Sequence, residues 1–313
     1  MNQNTSANSL KRIMVGLDLT EMDDTLIRYS AFLCSISEIE RVYFIHAAKS
    51  LDLPDEVIEG IPNGMPDAEK LRTSLVGKVE SHFGPDSRAQ VEVQVVEGSP
   101  LKELLRLSKV NQIDLVVVGR KFKMRGSGVL AQKILRNGRV SVLFVPENED
   151  TVLSHIMVSV DFSDYSLMAL ERMLNSALAR PEVRITCLHV YQVPTGYITL
   201  GISYQDFDAR MQGFAHNKFE QVLERFPALK ERATLRLVKQ ENDDDVGELI
   251  MVEAKRAKAD MLVIGAKGKS AAALFVLGSV TEKILRYNDD IPMIVYKKEK
   301  EEIGFLDALL GND

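Results

Sequence analysis

The sequence predicts an α/β protein made of two tandem doubly wound domains, each on a five-stranded parallel sheet. Three observations predict it. At 313 residues the chain has room for two domains of ordinary size, each able to bury its own core. Four sequence blocks occur twice in the same order. Within each copy, short apolar runs alternate with amphipathic stretches, which implies parallel strands covered by helices on both faces.

The repeat is explicit. "RIMVGLDLTEMDDTLIRYSAFL" (12–33) matches "HIMVSVDFSDYSLMALERML" (155–174), placing Asp18 opposite Asp161. "VYFIHAA" (42–48) matches "ITCLHVY" (185–191), placing His46 opposite His189. "IDLVVVGR" (113–120) then matches "ADMLVIGA" (259–266), and "AQKILR" (131–136) matches "TEKILR" (281–286).

In the second copy the runs at 156–160, 185–190, 233–238, 261–266 and 293–296 read as strands. They mostly lack polar alternation, as strands buried on both faces do. Between them, 164–179, 204–226, 246–258 and 279–288 carry apolar residues at helical spacing. The acidic "PENED" (146–150) reads as the linker. The expected division is a tail at 1–9, a first domain at 10–148, a second at 152–298 and a charged tail at 299–313. In that last tail, "IGFLDALL" (303–310) reads as a frayed end or a short docking helix.

Composition narrows the function. The chain is 45% hydrophobic and 27% charged, values of a globular protein, and no apolar run approaches the roughly 18–20 residues of a membrane span. A net charge of −6 opposes general nucleic-acid binding, which needs lysine and arginine against phosphates. "MNQNTSANSL" has no signal-peptide pattern, and the two cysteines, Cys34 and Cys187, lie far apart. The expectation is a cytoplasmic protein with buried free thiols.

The stretch that invites a ligand is "GAKGKSAAALFVLGS" (265–279). Gly265 ends an expected strand and Ser279 begins a helix, where ligands of doubly wound sheets sit. Glycines let backbone N–H groups approach an anion, and a helix start favours negative charge. Lys267 and Lys269 add positive charge. Ser279 and Glu282 also spell S-x-x-E, a capping box, so a capped helix after a glycine-rich loop is the alternative.

This stretch meets the G-2x-G-9x-G-S/T pattern through Gly265, Gly268, Gly278 and Ser279. It resembles the universal stress protein family in that pattern, in the opening strand that ends in Asp and in the "HV" at the end of the second strand. The resemblance covers nearly the whole chain and implies the universal stress protein fold, of the adenine nucleotide alpha hydrolase-like group, in a tandem two-domain arrangement. It implies an ATP site with Asp161 beside the adenosine and Val190 meeting adenine through its backbone. Gly265, Gly268, Gly278, Ser279 and Val280 would hold ribose and phosphates, with Lys269 and Ser270 inside the loop. Magnesium would accompany ATP, its ligands unassigned. His189 reads as a satisfied core histidine. The family pairs through the last strand, so 140–146 and 292–298 are expected to meet or lie close in an intramolecular pseudo-dimer, with a further homodimer left open.

The first copy departs from the pattern. Its loop "GRKFKMRGSG" (119–128) is four residues shorter, with Phe122 opposite Gly268 and Val129 opposite Ser279. No family-type nucleotide site is expected there. Arg120, Lys121, Lys123 and Arg125 make a basic loop, read as solvated rather than as an anion site.

Other motifs fail on context. "GSGVLA" (126–131) fits a dinucleotide fingerprint but lies before the last strand of its domain. "GKS" (268–270) lacks the P-loop glycine, because Val263 stands there. "DDD" (243–245) reads as cap and surface rather than a cation site. No catalytic constellation appears. The leading expectation is a stress-response protein that binds ATP in its second domain and signals through an unknown protein partner. A scaffold that binds no nucleotide is the alternative, and slow ATP hydrolysis or autophosphorylation the lesser one.

Overall fold

The computed structural model describes residues 10–50, 67–84, 87–120, 129–147, 150–176, 178, 180–241, 244–268, 277–288 and 290–298. The expected tails at 1–9 and 299–313, including 303–310, lie outside the described residues.

The first domain runs β1 (Arg12–Leu17), α1 (Met22–Ile36), β2 (Arg41–Ala48), α2 (Asp67–Glu80), β3 (Gln90–Glu97), α3 (Pro100–Val110), β4 (Leu115–Arg120), α4 (Val129–Asn137) and β5 (Ser141–Pro146). The second repeats this as β6 (His155–Ser159), α5 (Asp164–Asn175), β7 (Arg184–Gln192), α6 (Tyr204–Arg225), β8 (Ala233–Gln240), α7 (Val246–Arg256), β9 (Met261–Gly265), α8 (Ser279–Tyr287) and β10 (Met293–Tyr296). A single helical turn, Gly196–Thr199, precedes α6 and a 3-10 turn, Pro227–Leu229, follows it. The second-copy elements fall where periodicity puts them, except that α5 stops at Asn175, four residues short of 179, with Ser176 at its C-cap.

Helix starts follow local chemistry. Ser163 accepts from the Ser166 amide to open α5, and Ser203 accepts from the Asp206 amide to open α6. Asp245 accepts from the Gly247 and Glu248 amides to open α7. Each satisfies an N–H that a helix start leaves without an internal partner. The capping reading of "DDD" therefore holds for Asp245; Asp243 lies outside the described residues.

All ten strands form one sheet in the order β3-β2-β1-β4-β5-β10-β9-β6-β7-β8. Pairing within each domain is parallel, and the domains join where β5 and β10 run antiparallel, Met293 opposite Phe144 and Val295 opposite Val142. The two expected last strands thus pair directly. Successive residues of a strand point to opposite faces, and two cores result. One packs α1, α2, α5 and α6 on the sheet, the other α3, α4, α7 and α8, and both run across the β5–β10 junction. The outer strands β3 and β8 are only half buried. Among the described residues no helix is long and apolar enough to cross a membrane.

Each domain has one point where strand order reverses, between β1 and β4 and between β6 and β9. The crevice beyond the carboxyl ends of those strands is where open α/β sheets take ligands.

Candidate functional site

The turn after β6 is held by its own side chains. Asp161 Oδ1 accepts from the Ser163 amide at 3.0 Å and from its hydroxyl at 2.5 Å. The Asp161 amide donates to Ser166 Oγ at 3.3 Å. These bonds hold Phe162 at φ 59°, in the left-handed region that a non-glycine residue enters at a cost of about 1–2 kcal/mol. The Phe162 ring lies against His189, centroids 4.6 Å apart, and His189 Nδ1 donates to the Val160 carbonyl at 2.7 Å. His189 is accordingly a hydrogen-bonded histidine that ties β7 to the end of β6.

Across the crevice, β9 and α8 are bound together by the glycines. The Gly278 amide donates to the Ala266 carbonyl at 2.8 Å, and Thr281 Oγ1 donates to the Gly265 carbonyl at 3.0 Å. A Cβ on Gly265 would come 2.9 Å from the Tyr165 carbonyl oxygen, and one on Gly268 2.7 Å from Asp161 Oδ2. Only backbone fits beside Asp161.

The capping-box reading of Ser279 is corrected here. The N-cap is Gly278, extended and with no side-chain cap, so Ser279 is already the first helical residue. The Gly278–Ala266 bond sets the start of the helix, and Glu282 instead pairs with Arg136 of the first domain at 2.6 Å. The amides at the start of α8 thus have no side-chain cap in competition with a ligand.

A cavity of about 210 Å³ opens between these walls, lined by Ser159, Val160, Asp161, Ser166, Val190, Val246, Ile250, Ile264, Gly265, Lys267, Gly268, Gly278, Ser279, Val280, Thr281 and Ile284. Seven residues singled out by sequence meet here: Asp161, Val190, Gly265, Gly268, Gly278, Ser279 and Val280. Lys269 and Ser270 lie outside the described residues. Lys267, credited from sequence with positive charge but left out of the nucleotide set, is 7% exposed with Nζ 5.6 Å from the centroid of the Tyr165 ring. Sequence reasoning also passed over Val246 and Ile250, whose i, i+4 spacing at the start of α7 was the available signal.

The equivalent turn of the first domain keeps the backbone, the aspartate and the histidine bond, but not the residue that receives the turn's amides. Asp18 Oδ1 accepts from the Thr20 amide and hydroxyl, Leu19 takes φ 62°, and His46 Nδ1 donates to the Leu17 carbonyl. Where Ser166 stands in the second domain, the first has Asp23, fully buried, whose two carboxylate oxygens accept from the Asp18 and Leu19 amides at 2.9 Å each. Burial pushes its carboxyl above the usual range. Phe122, Lys121, Lys123 and Arg125 lie outside the described residues, and Arg120 Nη2 donates to the Arg286 carbonyl of the other domain.

Cys34 and Cys187 are free thiols, and burial raises both to about 12. They stay protonated at neutral pH and are poor nucleophiles. Among the described residues no group of three or more His, Cys, Asp or Glu could hold a metal ion.

The profile of the universal stress protein family matches residues 9–146 and again 153–297. A universal stress protein of Methanocaldococcus jannaschii is 23% identical over 155 residues, covering 50% of this chain and 88% of that protein. Among solved structures, a universal stress protein from Archaeoglobus fulgidus is 16% identical and superposes with a TM-score of 0.63, over 94% of this chain and 98% of that one. A functionally unknown protein from Pseudomonas aeruginosa is 12% identical with a TM-score of 0.64, over 95% of both chains. These structural likenesses concern the fold, while the profile covers both halves of the sequence. The chain belongs to the universal stress protein family.

Proposed function

We propose that the second domain binds an adenine nucleotide, ATP, and that the protein is a cytoplasmic regulatory module acting through a protein partner. The observation that carries this reading is the convergence of Asp161, Gly265, Gly268, Gly278 and Ser279 on one cavity at the switch point of the sheet. Each part suits one part of the ligand. Val160, Val190, Ile250 and Ile284 offer apolar walls to a base, and Asp161 offers carboxylate oxygens to ribose hydroxyls. The start of α8 offers amides to phosphate. A site built for backbone approach excludes side chains, and Gly268 fits that requirement because any Cβ would meet Asp161 Oδ2.

At about 210 Å³ the cavity is below the roughly 300 Å³ at which whole-ligand pockets begin. It suits base and sugar, with the phosphates over the start of α8. Lys267 supplies a cation on the same wall. Magnesium would travel with the triphosphate, and no residue is assigned to it. No catalytic residue is assigned either; turnover would be slow hydrolysis or autophosphorylation at most.

A second reading, a tandem scaffold that uses no nucleotide, is favoured by a different observation: both cores continue through the β5–β10 junction, so the two domains form one platform regardless of ligand.

The test is the nucleotide content of the purified protein, followed by ATP titration of wild type and Gly268→Phe. The proposal expects about one adenine nucleotide per chain, and loss of ATP binding in the variant with its unfolding transition retained. No nucleotide, together with no binding of added ATP and magnesium, would hand the protein to the scaffold reading. Equal affinity in Gly268→Phe would remove the glycine loop from the site.

A further inference from the structure

We infer that the first domain keeps the phosphate end of the second domain's site in working form, through Arg136 acting on Glu282. The inference rests on the nucleotide reading above and deepens it: Arg136 is a positioning residue for a site in the other half of the chain.

The geometry starts from a conflict at the first turn of α8. Glu282 lies in that turn, where a carboxylate favours the helix by complementing its dipole. The same amides and the same dipole are what an anionic ligand would use, so an uncompensated Glu282 would repel it. Arg136, in the last turn of α4, places Nη2 2.6 Å from Glu282 Oε1 and neutralises that charge from across the domain junction. The neighbouring cation on α8, Lys283, is directed elsewhere, pairing at 2.8 Å with Asp245, the cap of α7.

Arg136 is itself placed by the second domain. Lys297, just beyond β10, donates through Nζ to the Leu135 carbonyl at 2.6 Å and the Gly138 carbonyl at 2.5 Å. Those carbonyls close the end of α4, and a cation there satisfies acceptors that a helix end leaves open. At the other end of α8, Arg120 of the first domain donates to the Arg286 carbonyl at 3.4 Å. The start of α8 is thus tied to the last turn of α4, and its end to the last residue of β4. A first domain whose own loop has lost the family pattern retains a task in this arrangement, that of counter-charge and brace for its neighbour.

The side chains of Arg136 and Glu282 are 53% and 40% exposed, so the pair adds little to folding, and its effect on a triphosphate is partly screened. We expect roughly threefold in ATP affinity at low salt, shrinking as salt is raised. ATP and adenosine are titrated separately into wild type, Arg136→Ala, Arg136→Gln, Glu282→Gln and the double variant Arg136→Ala with Glu282→Gln, each checked for an intact melting transition. Both arginine variants are expected to bind ATP about threefold more weakly and adenosine unchanged, and the double variant to regain wild-type ATP affinity. ATP affinity unchanged in the arginine variants, adenosine weakened in parallel, or no rescue in the double variant overturns the role of Arg136 and leaves the nucleotide reading standing. Wild type that binds neither ligand removes the nucleotide reading and this inference with it.

Discussion

At the carboxyl ends of β4 and β9 the chain carries the same glycine, yet the space before it is used in opposite ways. In the first domain the Met22 side chain, 3% exposed, lies over Gly119, where a Cβ would collide with Met22 Cγ. In the second, the corresponding Tyr165 lies with its ring beneath Lys267 and presents its backbone carbonyl to Gly265. Asp23 fills with a buried carboxylate the place that Ser166 fills with a hydroxyl, and Ala131 stands where Thr281 binds the Gly265 carbonyl. Turn, histidine bond and left-handed residue are nevertheless common to both halves. The difference teaches that the strand-to-helix turn with its aspartate is part of the fold, while what lies against the glycine depends on a few side chains around it.

Five substitutions or conditions would break or sharpen this contrast. The largest effect is expected from Gly265→Ala, whose Cβ meets backbone at 2.9 Å. It should destabilise the protein by about 2–3 kcal/mol in urea unfolding. Gly119→Ala meets the buried Met22 side chain at Cγ rather than backbone and should cost about 1–2 kcal/mol; equal costs would show that packed side chain and backbone resist the added Cβ alike.

Asp23→Ser, which copies the second domain, leaves one of the Asp18 and Leu19 amides without its acceptor. A loss of about 1–2 kcal/mol is expected from thermal melting, and a neutral result would mean that Asp23 does not hold the turn. Thr281→Ala, which copies the first domain, removes one buried hydrogen bond and should cost about 1 kcal/mol, and under the nucleotide proposal it should weaken ATP binding as the second domain's crevice loosens. ATP affinity unmoved by that change would separate the Thr281 bond from the site.

The smallest effect concerns His155, which begins β6 where Arg12 begins β1. Burial, and then the charge of Arg184, lower its pKa below the ordinary 6.5. The unfolded chain therefore takes up a proton near pH 6.5 that the folded chain refuses, and stability should fall as pH drops below that value. The effect ends once pH passes the lowered folded value. Comparing unfolding free energies of wild type and His155→Gln across pH 5–8 isolates it; parallel curves would remove His155 from the pH response.

Much of the architecture was legible because it is written in short-range pattern. Buried strands such as 261–265 are continuous apolar runs, and α7 carries its apolar residues at helical spacing, so periodicity alone finds them. Residues that line the candidate cavity were legible where packing demands a residue type, as with Gly268 beside Asp161. The start of α8 at Ser279 was legible, but the capping box offered as the alternative failed because S-x-x-E is a local signal, and the bond that sets the start, from the Gly278 amide to the Ala266 carbonyl, joins two ends of a loop. Lys267 was left out of the nucleotide set for a related reason: a lysine in a loop carries no sign of whether its stem is buried.

The sequence by itself determined two copies of one α/β domain, the strand and helix order, and the glycines that leave room for backbone, since composition and spacing act within a few residues of chain. The tertiary structure alone decided the antiparallel register of β5 on β10, that Met22 packs over Gly119 while Tyr165 turns its carbonyl to Gly265, and that Arg136 meets Glu282 across 146 positions of sequence. Those outcomes depend on which distant side chains the packed sheet brings within contact, and the order of residues along the chain carries no direct record of that distance.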